Sequence, residues 1–105
     1  MVVLDEEPYF WLLLEEEGVL YLNAFCSHSA ADYPFLIVLD ENERRLFEKQ
    51  GRSYLTQLAQ DIHYSAPAVR GSRSRYKARG LTPTLGNRVE EAWTAWQAQQ
   101  DGSSR

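Results

Sequence analysis

Apolar positions along the chain follow two different periods. Tyr9 to Leu14 is an unbroken, aromatic-rich apolar run, preceded by Pro8 and closed by Glu15, Glu16, Glu17 and Gly18. A run that short, with those flanks, predicts a strand rather than a helix. Val19 to Cys26 follows at once, with Val19, Tyr21 and Phe25 on one face and Leu20, Leu22, Ala24 and Cys26 on the other. The acidic stretch between the two runs predicts a hairpin turn in which Gly18 supplies a positive φ. Ser27 to Pro34 has loop chemistry, and Phe35 to Leu39 predicts a third strand. Strands apolar on both faces are covered on both sides. Val2 to Leu4 adds a short edge strand, so the sheet is three- to four-stranded and antiparallel.

At Asp40 the period changes. Asp40 and Glu43 have capping-box spacing, and strong helix formers follow. Phe47, Gly51, Leu55, Leu58 and Ile62 then form one apolar stripe at helical spacing. That continuity predicts a single long helix from about Glu41 to His63, with Gly51 inside it on the buried face. Ser65-Ala66-Pro67 ends it. Thr82-Pro83 opens a C-terminal helix whose stripe is Leu85, Val89, Ala92, Trp93 and Trp96, running to about Gln99. Residues 68–81 are nearly devoid of apolar side chains and predict a mobile basic loop, and residues 101–105 a frayed tail. The expected fold is an α+β domain of order β-β-β-α-α, the sheet packed against a long helix and a C-terminal helix.

Composition narrows the class. With 105 residues, 44% of them hydrophobic, the chain suits one domain over 1–105 with a core of its own. One cysteine, Cys26, excludes an internal disulfide framework and a multi-cysteine zinc site. No apolar run approaches a membrane span, and the N-terminal residues lack the features of a secretory signal, so the expected location is cytoplasmic. The net charge of −4 conceals a division. Residues 1–50 carry a net −8 and residues 51–105 a net +4. An acidic first half disfavours general nucleic-acid binding, because phosphate would be repelled.

Candidate chemistry is sparse. The sequence has no phosphate-binding glycine loop, nucleophile elbow or metal-ligating helix motif. Cys26 and His28 would share a strand face, but nothing in the sequence supplies an orienting third group, so Cys26 reads as a small core residue that is unreactive. His63 reads as a helix-end residue favoured by the dipole. Asp5, Glu6 and Glu7, like Glu15 to Glu17, read as solvated charge. The aromatic residues Tyr9, Trp11, Tyr21, Tyr54, Tyr64, Trp93 and Trp96 read as core.

The segment Arg70 to Arg79 is the remaining signal. Arg70, Arg73, Arg75, Lys77 and Arg79 occur there without an acid, around one aromatic residue, Tyr76. Arginine forks and a stacking tyrosine would suit RNA or a phosphate ligand, an acidic protein surface, or the chain's own acidic half. Lacking apolar anchors, the segment is expected to be mobile and to contribute less than about 1 kcal/mol to stability. The expected function is a small non-enzymatic protein-binding module, of immunity or inhibitor type, engaging one macromolecular partner as monomer or homodimer. The alternative is a nucleic-acid-associated accessory protein using residues 70–79. No catalytic residue, cofactor or metal is expected.

Overall fold

A computed structural model describes residues 1–28, 31–69 and 71–103. Four strands form one antiparallel sheet in chain order: β1 (Val2–Glu7), β2 (Trp11–Glu16), β3 (Val19–His28) and β4 (Ala31–Val38). Three helices follow, α1 (Glu41–Gln50), α2 (Arg52–Ser65) and α3 (Thr82–Ser103), with a single 3₁₀ turn at Lys77–Arg79 between the last two. The α+β class and the strands-then-helices order match the sequence. The fourth strand is longer than expected, because residues 31–34, read as loop, pair with the end of β3. Glu17 and Gly18, at φ 51° and 81°, form the two-residue β2–β3 turn, the twist that suits a tight hairpin.

The sheet is covered on both faces. Trp11 and Leu13 of β2, Leu20 to Cys26 at alternate positions of β3, and Phe35 and Ile37 of β4 pack against Leu55, Leu58, Ala59 and Ile62 of α2. Val3, Leu12, Leu14 and Leu36 point the other way, to Val89 and Ala92 of α3. This explains why β2 is apolar at every one of its first four positions.

One register irregularity has a directed effect. β1 shifts against β2 between Val3 and Asp5, leaving Leu4 as a bulge. Without it, Val3, Asp5 and Glu7 would share a face. With it, Val3 pairs with Leu14 and Glu6 with Leu12, both partners on the α3 face, while Asp5 pairs with Leu13 on the α2 face. Asp5 and Glu7 accordingly meet Arg52 of α2, at 2.8 and 2.9 Å. Glu6 is turned toward α3.

The single long helix does not form. Gly51 takes φ 69° and ψ −146°, caps α1 by donating to Phe47 O at 2.7 Å, and starts α2. It is half-buried, with no atom near the place a Cβ would occupy. The apolar stripe stays in phase across the break because α1 and α2 rest on the same side of the sheet, Phe47 packing against the cluster that holds Leu55 and Leu58. The capping box at Asp40 is present in both directions, Glu43 N–H to Asp40 Oδ1 at 2.8 Å and Asp40 N–H to Glu43 Oε1 at 2.9 Å.

The chain crosses from the α2 face to the α3 face around the outer edge of β4. Pro34 marks that edge in the sequence, since a strand residue without N–H is tolerated where the amide would face outward. Four of the outward groups of β4 are engaged. Thr82 Oγ1 donates to Pro34 O at 3.3 Å and accepts from Leu36 N–H at 3.0 Å, Leu81 N–H donates to Leu36 O at 2.8 Å, and Arg79 Nη2 donates to Val38 O at 2.7 Å. Thr82 thus ties α3 to the sheet as well as opening it. α3 runs beyond the expected end near Gln99, to Ser103; residues 104–105 of the expected tail lie outside the described residues.

Candidate functional site

Residues 72–79 of the basic segment make contacts that a charge count does not show. Ser74 Oγ meets Ser65 Oγ at 2.7 Å, Ser72 Oγ donates to Ser65 O at 3.1 Å, and Tyr76 N–H donates to Ser74 Oγ at 3.2 Å, fastening residues 72–76 to the end of α2. Tyr76 is 2% exposed and belongs to the core beneath α2. The guanidiniums of Arg75 and Arg79 lie 4.9 and 5.9 Å from its ring centre. A ring so enclosed has no face to offer a base.

Arg79 is a clamp. It grips Glu43 with both arms, Nη1 to Oε2 at 2.9 Å and Nη2 to Oε1 at 2.5 Å, while the Glu43 side chain is only 9% exposed. The sequence predicts a mobile basic loop over residues 68–81 without any such contact, and the physical reason for the contact is plain: one buried carboxylate needs one fixed cation. Of the remaining predicted site residues, Arg73 and Lys77 are exposed, and Arg75 is exposed with Nη2 donating to Tyr76 Oη at 2.7 Å. Arg70 lies outside the described residues.

Cys26 is 2% exposed, and burial pushes its thiol up to about 11, against a smaller opposing effect from the Tyr33 hydroxyl. The His28 side chain, its suggested partner, lies outside the described residues. His63 is used as an acceptor: Ser27 N–H donates to its Nδ1 at 3.1 Å, tying the end of β3 to α2. Among the described residues no group of three or more histidine, cysteine or carboxylate side chains is placed to hold a metal ion, and no helix is long and apolar enough to cross a membrane.

Aromatic side chains gather instead at the end of the sheet that carries the β1–β2 turn. Glu7, Pro8, Tyr9 and Phe10 form that turn, closed by Phe10 N–H to Glu7 O at 2.9 Å. Proline second and a positive φ third is the type II pattern, whose third position calls for glycine. Tyr9 occupies it, at φ 71° and 92% exposed. Phe10 is 47% exposed, and Tyr64 on the neighbouring α2 is 77% exposed. A hollow of about 180 Å³ lies among Tyr9, Phe10, Phe25, His63 and Tyr64.

A larger cleft, about 660 Å³, opens beside it on the α3 face. Tyr9, Phe25 and Trp93 supply its aromatic walls, and Glu6 and Asp32 its charge. The rings of Phe25 and Trp93 stand 5.7 Å apart, tilted by 35°. Glu6, aimed here by the bulge at Leu4, accepts the Trp93 indole N–H at 3.3 Å on one oxygen and that of Trp96 at 3.1 Å on the other. Two neutral donors fix the carboxylate without cancelling its charge. Among the described residues neither Glu6 nor Asp32 has a cationic partner.

Several readings of the sequence are corrected here. Trp93 and Trp96 pack against the α3-side core but are only half-buried, Trp93 also lining the cleft; Tyr9 and Tyr64 are on the surface, and Glu6 is a held group rather than a solvated one. Pro8 was the available signal for Tyr9, since proline at the second turn position makes Pro8-Tyr9 a turn instead of the start of a strand. No protein family model, no characterised protein and no solved structure matches the chain.

Proposed function

We propose that the chain is a non-enzymatic protein-binding module, working in the cytoplasm and engaging one partner, in the manner of an inhibitor, through the aromatic end of the sheet. The observation that carries this reading is Tyr9. A tyrosine in a glycine-type turn position costs about 1 kcal/mol or more in backbone strain. Burial does not offset that cost, because the ring is 92% exposed. Strain retained around an exposed aromatic side chain points to use of that side chain, and tyrosine supplies large, rigid contact area to interfaces. Phe10 and Tyr64 extend the same face. Among the described residues of the segment, the nucleic-acid alternative would rest on Arg73, Arg75 and Lys77, with Tyr76 buried and Arg79 paired.

The test uses a photo-crosslinking amino acid at position 64, and in a second variant at position 73, in the host cell. The protein captured from position 64 is identified, purified and titrated against the parent chain and Tyr9→Gly. Tyr9→Gly is expected to melt at or above the parent temperature while binding at least about tenfold more weakly, the effect of losing an interface anchor. Unchanged affinity in Tyr9→Gly, or crosslinks that arise only from position 73, overturns the reading.

A further inference from the structure

We infer that the cleft between the β1–β2 turn and α3 receives an arginine side chain from an extended basic segment of that partner. The inference rests on the protein-binding reading and deepens it by naming what enters the site. Its walls are aromatic faces, Tyr9, Phe25 and Trp93, and its charge is two carboxylates, Glu6 and Asp32, without a counter-ion among the described residues. Aromatic faces with an adjacent negative charge select an organic cation. Of the two basic side chains, guanidinium is flat, weakly hydrated and suited to lying against rings while its edge meets a carboxylate. Glu6 is prepared for this. Each oxygen already accepts one indole N–H, and each retains a second lone pair. Neither Glu6 nor its two tryptophans would have to reorganise when the cation arrives. The volume, about 660 Å³, is more than enough for one long side chain with its flanking backbone. Charge complementarity extends past the cleft, because the chain as a whole carries a net −4 and would attract a basic segment at long range.

The experiment titrates the intact chain with the blocked tripeptide Gly-Arg-Gly and follows the three indole N–H resonances by NMR. The same peptide with citrulline, isosteric but uncharged, is the control, and tetramethylammonium is a third probe. The arginine peptide is expected to shift the Trp93 resonance saturably with a millimolar dissociation constant, and citrulline to leave it unmoved. Asp32→Asn, at an exposed position, keeps the fold and should weaken the arginine peptide severalfold. Glu6→Gln should weaken it about tenfold, the worth of a hydrogen bond to a charged group. Equal shifts with citrulline, no saturable shift at all, or tetramethylammonium binding more tightly than the arginine peptide would overturn the inference. Failure here with Tyr9→Gly still weakening the captured partner removes the arginine assignment alone. Saturation by arginine with an indifferent Tyr9 leaves the cleft assignment standing and removes the wider reading.

Discussion

Replacing Arg79 with alanine should be the most damaging single change in the basic segment. It removes both hydrogen bonds to Glu43, the bond to Val38 O and the contact with the Tyr76 ring. What remains is a carboxylate whose side chain is 9% exposed, with a capping bond from Asp40 N–H as its surviving partner. An exposed ion pair contributes about 0–1 kcal/mol and a broken buried pair costs about 3–5. Arg79 is itself 31% exposed, which places Arg79→Ala between those limits, at about 2–3 kcal/mol. For a domain of this length that corresponds to a melting temperature lower by roughly 10–20 °C. Urea titrations followed by circular dichroism give the free energies. Glu43→Gln keeps an acceptor for Asp40 N–H but discards the charge, so the double variant should be more stable than the two single losses added together, by about 1 kcal/mol. Arg73→Ala, exposed, serves as the control and should lie within about 0.5 kcal/mol of the parent. If Arg79→Ala also lies within that margin, the clamp contributes nothing and the segment is the solvated loop its composition suggests.

Gly51→Ala should cost about 1–3 kcal/mol, because its φ of 69° and ψ of −146° belong to a region that side chains avoid; an unchanged melting temperature would restore the continuous helix. Gly80→Ala should cost about 1–3 kcal/mol for a different reason, since a Cβ there would lie 2.7 Å from the Phe35 ring, which is itself buried; a neutral result would show that the ring can tilt away. Cys26 should resist iodoacetamide at neutral pH in the folded chain and react on unfolding, and rapid native labelling would contradict its burial. Its folded pKa lies above the ordinary 9.0, so the neutral thiol is favoured by folding; stability from this source is complete below pH 9.0 and is lost as pH climbs toward about 11, which denaturant titrations across that interval would register.

The β2–β3 hairpin and the doubly covered sheet were legible because their signals are local: Gly18 in the turn, and apolar side chains on both faces of Leu12 to Leu14. The start of β4 was not, since Ala31, Asp32 and Pro34 have low strand propensity and are held by pairing with β3. The break at Gly51 was hidden by the phase of the stripe, because two helices lying on one sheet face need the same apolar side turned inward. Residues 72–76 looked mobile because serine carries no apolar signal, yet three serines secure them to α2 and to one another. The cleft was the least legible feature. It depends on which way Glu6 points, and that follows from an unpaired Leu4 visible only in the register of β1 against β2.

The covering of β4 by Leu81, Thr82 and Arg79 also bears on how the chain behaves in company. A strand whose outer amides and carbonyls are free is a template on which a second copy can add a strand of its own. Here the covering is held by a threonine hydroxyl, one backbone amide and one arginine, and the last of these depends on Glu43. Loss of the Arg79 contact therefore bares Val38 O first, beside the apolar residues of β4. Variants weakened at that point should self-associate with rising concentration before they unfold, so that turbidity and light scattering precede the loss of helical signal on heating.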